Sequence, residues 1–174
     1  MSYKLAKRID KIKPSFTLQM ATIAADMISE GKDVINFSVG EPDFNTPNHI
    51  INAGKKAMDE GYTKYTSGPG MIELRQAICD KLEKENGLIY SPSDILVSNG
   101  EKQSLYTACQ ALFGKGDEVI VSSRSFIATA SAISLLGATP VWTDVDLNSQ
   151  NIDPNEIDKN ISKKTKGIVC VHFA

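Results

Sequence analysis

Residues 118–145 read EVIVSSRSFIATASAISLLGATPVWTDV, and the places where this run breaks decide the fold. Residues 118–123 are a short, mostly apolar and β-branched segment, the signature of a strand. Residues 126–137 are rich in Ala, Ile and Leu, long enough for three helical turns, and end on Gly137. Residues 138–145 return to strand character. Two strands joined by such a helix form a βαβ unit, and that connection pairs the strands in parallel. Strands that are apolar without alternation are buried on both faces, so helices must cover both sides of the sheet. The stretch therefore predicts an α/β fold with three αβα layers around a mostly parallel sheet.

Working outward, the same alternation continues. DPNEIDKNIS places Asp153 as an N-cap, Pro154 at the first helical position and Glu156 at the third, a capping arrangement. KGIVCVHFA (166–174) predicts a further core strand, with His172 near its end. Upstream, 94–98 predicts a strand and 101–113 a helix with Leu105, Ala108, Cys109 and Leu112 inward. Residues 17–30 carry Leu18, Ala21, Ile23, Ala24, Met27 and Ile28 at helical spacing before Gly31, and DVINFSVG (33–40) predicts a strand. Thr46 is the expected N-cap of a helix with Pro47 at its first position, ending at Gly61. After the YTSGPG loop, a third helix turns Ile72, Leu74, Ala77, Ile78 and Leu82 inward and stops at Gly87. The final apolar strand has nothing after it to cover its edge, which soluble sheets avoid. The expectation is the first part of a larger fold: an arm and helix at 1–32, a partial domain at 33–174, and an absent C-terminal small domain.

Composition narrows the function. The chain has 174 residues, 41% hydrophobic, with a formal charge of -2. That balance disfavours nucleic acid as main partner, and Lys4, Lys7, Arg8, Lys11 and Lys13 read as a solvated arm. No apolar run approaches the roughly 20 residues of a membrane span, and the basic N-terminus lacks the apolar core of a secretory signal. Cys79, Cys109 and Cys170 have no metal-type spacing and read as reduced core residues of a cytoplasmic protein. No metal site is expected. Asp144 and Asp146 read as loop carboxylates rather than an acid/base pair.

The chemistry is carried by ILVSNGEKQSL (95–105). A predicted strand breaks at Ser98-Asn99-Gly100 and restarts as a helix, whose first amides point outward unpaired. Such a terminus at the C-terminal end of a parallel strand suits a phosphate. An ordinary strand-to-helix turn is the alternative, and the turn has neither a Gly-x-Gly-x-x-Gly nor a Gly-Lys-Ser pattern.

The stretches around it bear on which phosphate that is. IKPSFTLQM, GKDVINFSVGEPDFNTP, GYTKYTSGPGMIELRQAI and ENGLIYSPSDILVSNGEKQSLYTACQALFGKGDEVI together resemble the class I aminotransferases, most closely the aspartate aminotransferases, over residues 7–120. The resemblance implies a pyridoxal-phosphate enzyme of fold type I, a homodimer acting on an amino acid and a 2-oxo acid. It implies that Gly100, Glu101 and Lys102 hold the cofactor phosphate, that Tyr65 reaches the phosphate in the neighbouring subunit, and that Gly40 contacts the substrate carboxylate. Residues 121–174, through SRSFIATASAI, PVWTDVD and TKGIVCVH, resemble the nucleotide-sugar aminotransferases, so the chain reads as a truncated hybrid. In both branches Phe126 stands where an aromatic stacks on the cofactor ring; packing beneath its own helix is the alternative. Transamination needs a lysine that forms a Schiff base with the cofactor. No lysine here matches that motif, so no catalytic residue is assigned and the enzyme assignment stays open. The competing expectations are a nucleotide-sugar aminotransferase and a non-catalytic α/β fragment or binding module.

Overall fold

The computed structural model describes residues 5–7 and 9–173, which divide between two units, Met1–Lys64 and Tyr65–Ala174. Lys4 and Arg8 of the basic arm, and Ala174 of the last predicted strand, lie outside the described residues.

The first unit holds α1 (Phe16–Ser29) and α2 (Asn48–Asp59). Both helices form where their periodicity predicts. Of the expected inward set on α1, only Ala24 is buried; Leu18, Ile23 and Ile28 stay exposed. Residues 33–40 form no strand among the described residues and bend at Ser38 and Val39, contrary to the expected β-strand. Asn36 occupies the segment's polar groups instead, its Oδ1 accepting from the Ser38 amide (2.9 Å) and hydroxyl (2.6 Å). α2 starts one residue later than expected. Pro47 is the N-cap, its carbonyl accepting from the amides of Ile50 and Ile51, and Thr46 caps nothing.

The second unit opens with α3 (Ile72–Asn86), which stops where Gly87 takes a left-handed conformation (φ 68°). Its inner face is Cys79 with half-buried Ile78 and Leu82; Ile72, Leu74 and Ala77 are exposed. The Arg75 guanidinium donates to the Pro92 carbonyl (2.9 Å), holding a 3-10 turn, Pro92–Asp94, against the helix. The strand expected at 94–98 is absent. Asp94 belongs to the 3-10 turn, and the backbone bond from 95–98 to a distant segment is the Val97 amide to the Pro69 carbonyl (3.0 Å). An apolar run becomes a strand only when a neighbour takes its amides and carbonyls in a ladder, and among the described residues no strand does so here.

Beyond Gly100 the expected alternation holds: α4 (Glu101–Leu112), β1 (Glu118–Ser122), α5 (Ile127–Ser134), β2 (Thr139–Thr143), α6 (Pro154–Asn160) and β3 (Thr165–Val169). The sheet has the order β2-β1-β3, all parallel. β1 is central, and Val119, Ile120 and Val121 are fully buried on alternate faces. Val119 and Val121 join Cys109, Ala130, Ala132, Ile133 and Ala138, so α4 and α5 cover one face. On α4, Leu105 and Tyr106 are half-buried and pack against this cluster, whereas Ala108 and Leu112 are exposed. α6 covers the opposite face, where Asn160 donates to the Thr143 hydroxyl (3.2 Å). These are the three layers predicted. Asp153 caps α6 by accepting from the Asn155 amide (2.8 Å), as its sequence implies.

β3 is shorter than expected. It ends at Val169, so His172 lies past the strand and is exposed, and Cys170 is exposed rather than in the core. Gly167 within β3 answers a packing need: a Cβ there would stand 2.7 Å from the Phe113 ring. Only glycine lets that ring lie against the strand.

Candidate functional site

The candidate site lies where β1 and its neighbours end. Gly100 is the N-cap of α4 with φ 86° and ψ 169°, a backbone conformation that side chains disfavour. Its carbonyl accepts the Ser104 amide (3.2 Å), the first bond of the helix. The amides of Glu101, Lys102 and Gln103 therefore have no partner among the described residues and face solvent. A Cβ on Gly100 would meet nothing within 4 Å, so open space lies beside those donors. The turn is braced from both sides. Gln103, the third helical residue, reaches back to accept the Asn99 amide (2.8 Å), and the hydroxyls of Ser98 and Ser104 hydrogen-bond across it.

The structure brings two predicted site residues together. The Lys102 ammonium sits 5.2 Å from the centroid of the Phe126 ring, a cation–π distance. Phe126 is the N-cap of α5, and the residue is 64% exposed. It is therefore not buried under the helix it begins.

Other predicted residues are not assembled in this way. Tyr65 is fully exposed and hydrogen-bonds to nothing among the described residues. Gly40 belongs to the first unit, in the irregular segment before α2. Among the described residues no cluster of His, Cys, Asp or Glu could hold a metal. Asp144 accepts the Val145 amide (2.9 Å), and Asp146 accepts from Ser149 (2.7 Å) and Asn148 (3.1 Å). Those hydrogen bonds, the Ser149 amide foremost, hold the Asp146 carboxyl below the usual carboxylate range. Both aspartates are loop residues, as their sequence context suggests.

Sequence reading missed the brace. A glutamine three residues past an N-cap is the capping-box position, and that signal could have singled out Gln103. It also missed Arg124. The guanidinium stacks on the Phe173 ring (4.0 Å) and donates to the Gln150 amide oxygen. No local pattern joins residues 26 and 49 positions apart; only the sheet brings them together.

This geometry fits a phosphorylated aromatic cofactor: unpaired amides at a helix start, space beside the glycine, an ammonium and an exposed aromatic face. The comparisons agree. The model of the DegT/DnrJ/EryC1/StrS aminotransferase family matches residues 47–174. Aspartate aminotransferase of Bacillus subtilis is 40% identical over 167 residues, which is 95% of this chain and 42% of that protein. An aspartate/prephenate aminotransferase of Cereibacter sphaeroides is 38% identical over 166 residues, 95% of this chain and 42% of the relative. Among solved structures, the aspartate aminotransferase of Thermus thermophilus with maleate superposes with a TM-score of 0.83 at 33% identity, covering 96% of this chain and 44% of that one.

The chain thus spans 42% of the length of these curated relatives. The two likenesses overlap rather than succeed one another, since both run across residue 120. Aminotransferases of this family and fold use pyridoxal phosphate. The helix start that a phosphate would need, the parallel sheet behind it and the matched residues converge: the chain belongs to the DegT/DnrJ/EryC1/StrS aminotransferase family, within the pyridoxal-phosphate aminotransferases of fold type I.

Proposed function

We propose that this chain supplies the phosphate-binding and ring-stacking part of an aminotransferase that moves an amino group between an amino acid and a 2-oxo acid. The observation that carries the proposal is the start of α4, where three unpaired amides, Gly100 and Lys102 converge beside an exposed Phe126. When bound, the cofactor supplies the electron sink that amino transfer requires. The chain's own residues bind and orient it. The amides of Glu101–Gln103 and the Gly100 cradle take the phosphate, Lys102 adds positive charge, and Phe126 offers a face to the ring. The helix terminus alone favours an anion by about 0.3–1 kcal/mol, so affinity rests on the direct hydrogen bonds.

In this reading residues 33–174 are part of the cofactor domain and 1–32 an arm. Gly40 meets the substrate carboxylate, Tyr65 serves the second subunit of a homodimer, and the protein works in the cytoplasm. The similarity of nearly the whole chain to aspartate aminotransferases favours that substrate class over nucleotide sugars. No lysine here is assigned the covalent role, so the chain by itself binds the cofactor reversibly.

The test is a titration with pyridoxal phosphate followed by absorbance, with pyridoxal as the control lacking phosphate. Gly100→Val strains the turn and fills the cradle, and should weaken binding by more than about tenfold. Lys102→Ala leaves the amides in place and should cost about two- to fivefold. Both variants must match the parent by circular dichroism. If both bind the cofactor like the parent, or pyridoxal binds as well as its phosphate, the turn is only structural. Stoichiometric borohydride trapping at one lysine would assign that lysine the covalent role.

A further inference from the structure

Three segments that follow three different strands converge on Arg124. It leaves β1, and its backbone amide donates to the Ser122 hydroxyl (3.3 Å), a side chain only 1% exposed. Phe173, past β3, lies under its guanidinium at 4.0 Å, and Gln150, past β2, accepts one of its N–H groups.

The supports are themselves fixed. The Phe173 amide donates to Asn151 Oδ1 (2.9 Å), and the Gln150 amide donates to the Asp146 carbonyl (2.9 Å). Gln150 holds a left-handed backbone (φ 59°), the one non-glycine residue to do so among those described. Such a conformation persists where its surroundings enforce it, and it gathers at ligand-binding sites.

What this scaffold holds is a cation without an anion. Among the described residues Arg124 makes no ion pair. A guanidinium has five N–H donors in a planar fork that matches a carboxylate. Stacking and one hydrogen bond fix its plane and leave donors free. It stands two residues before Phe126, at the C-terminal end of a parallel strand, where ligands of such sheets bind.

We propose that Arg124 is a carboxylate-binding residue, preset by Phe173 and Gln150 to receive a carboxylate of the amino acid or 2-oxo acid. The proposal rests on the aminotransferase reading above.

The experiment titrates the ¹⁵N-labelled 174-residue chain with succinate, with inorganic phosphate, and separately with pyridoxal phosphate. NMR follows the Arg124 Nε–Hε signal and the amides of Glu101–Gln103. Succinate should shift the Arg124 signal saturably, and Arg124→Gln should weaken succinate binding by about fivefold or more. Phe173→Leu keeps the cation but removes its platform, and should weaken succinate about twofold or more. It keeps the test decisive should Arg124→Gln fold poorly. Pyridoxal phosphate should bind all variants within about twofold of the parent, since the amides at the start of α4 remain. Succinate binding unchanged in both variants overturns the proposal, as does phosphate displacing succinate from Arg124 at equal concentration. Succinate binding at Arg124 with no cofactor response at Glu101–Gln103 upholds the carboxylate site and removes the cofactor reading.

Discussion

Asp146 organises the turn after β2 by accepting two backbone amides, and the consequence is a pH dependence of known sign. Its folded-state pKa is lowered, chiefly by the Ser149 amide. The capping is therefore complete above the unfolded carboxyl value, ~3.9, and is lost as pH falls through the lower folded value. In an NMR titration the Ser149 and Asn148 amides should move together with a midpoint below about 3.9; a midpoint at or above it would mean the turn does not depend on the carboxylate. Residue chemistry was legible where the chain is local. Asp153 and Gly87 announce themselves as caps, and the Ser-Asn-Gly turn was visible as the start of a helix. Thr46 misled because Pro47 cannot donate an amide yet can lend its carbonyl to the first turn. The Lys102–Phe126 approach was illegible as a contact, since 24 residues separate the pair and only the packing of α5 beside α4 joins them.

At the scale of elements, the βαβ run from 118 to 143 was readable because its strands find partners within the chain. Residues 33–40 and 94–98 have the same apolar character, but character does not make a ladder, and each lacks a paired neighbour among the described residues. Packing gives sharper expectations. Ile133 of α5 is fully buried against β1. Ile133→Ala should lower unfolding free energy by about 2–5 kcal/mol in urea, through lost transfer energy plus a cavity. Gly167→Ala acts by the opposite route. Its added carbon would meet the Phe113 ring at 2.7 Å, forcing that ring to shift. The expected cost is ~1–3 kcal/mol, with Phe113→Leu in the same background restoring part of it. If Gly167→Ala is neutral alone, the ring yields freely and the close approach does not constrain β3.

The two units differ in how they are held. In Tyr65–Ala174 a continuous cluster runs from Cys109 through β1 to α5, and full burial is confined largely to it. Among the described residues of Met1–Lys64 only Ala24 is buried, while Phe16, Leu18, Phe37 and Phe44 remain widely exposed. The groove formed by α1 and residues 34–38 is lined by Phe16, Met20, Ile23, Met27, Ile35 and Phe37. Local stability follows buried apolar contact, so opening free energies should differ between units rather than between helices and strands. In native-state hydrogen exchange the amides of β1 and α5 should be the last to exchange, opening only with global unfolding. Those of α1 and α2 should exchange far earlier, although both are well-formed helices. The comparison isolates tertiary burial from helical hydrogen bonding, because α2 and α4 have equal length, 12 residues each. Equal protection of α2 and α4 would show that burial does not set the order. Protection of α1 that rises steeply with protein concentration would mean that a second copy covers the groove.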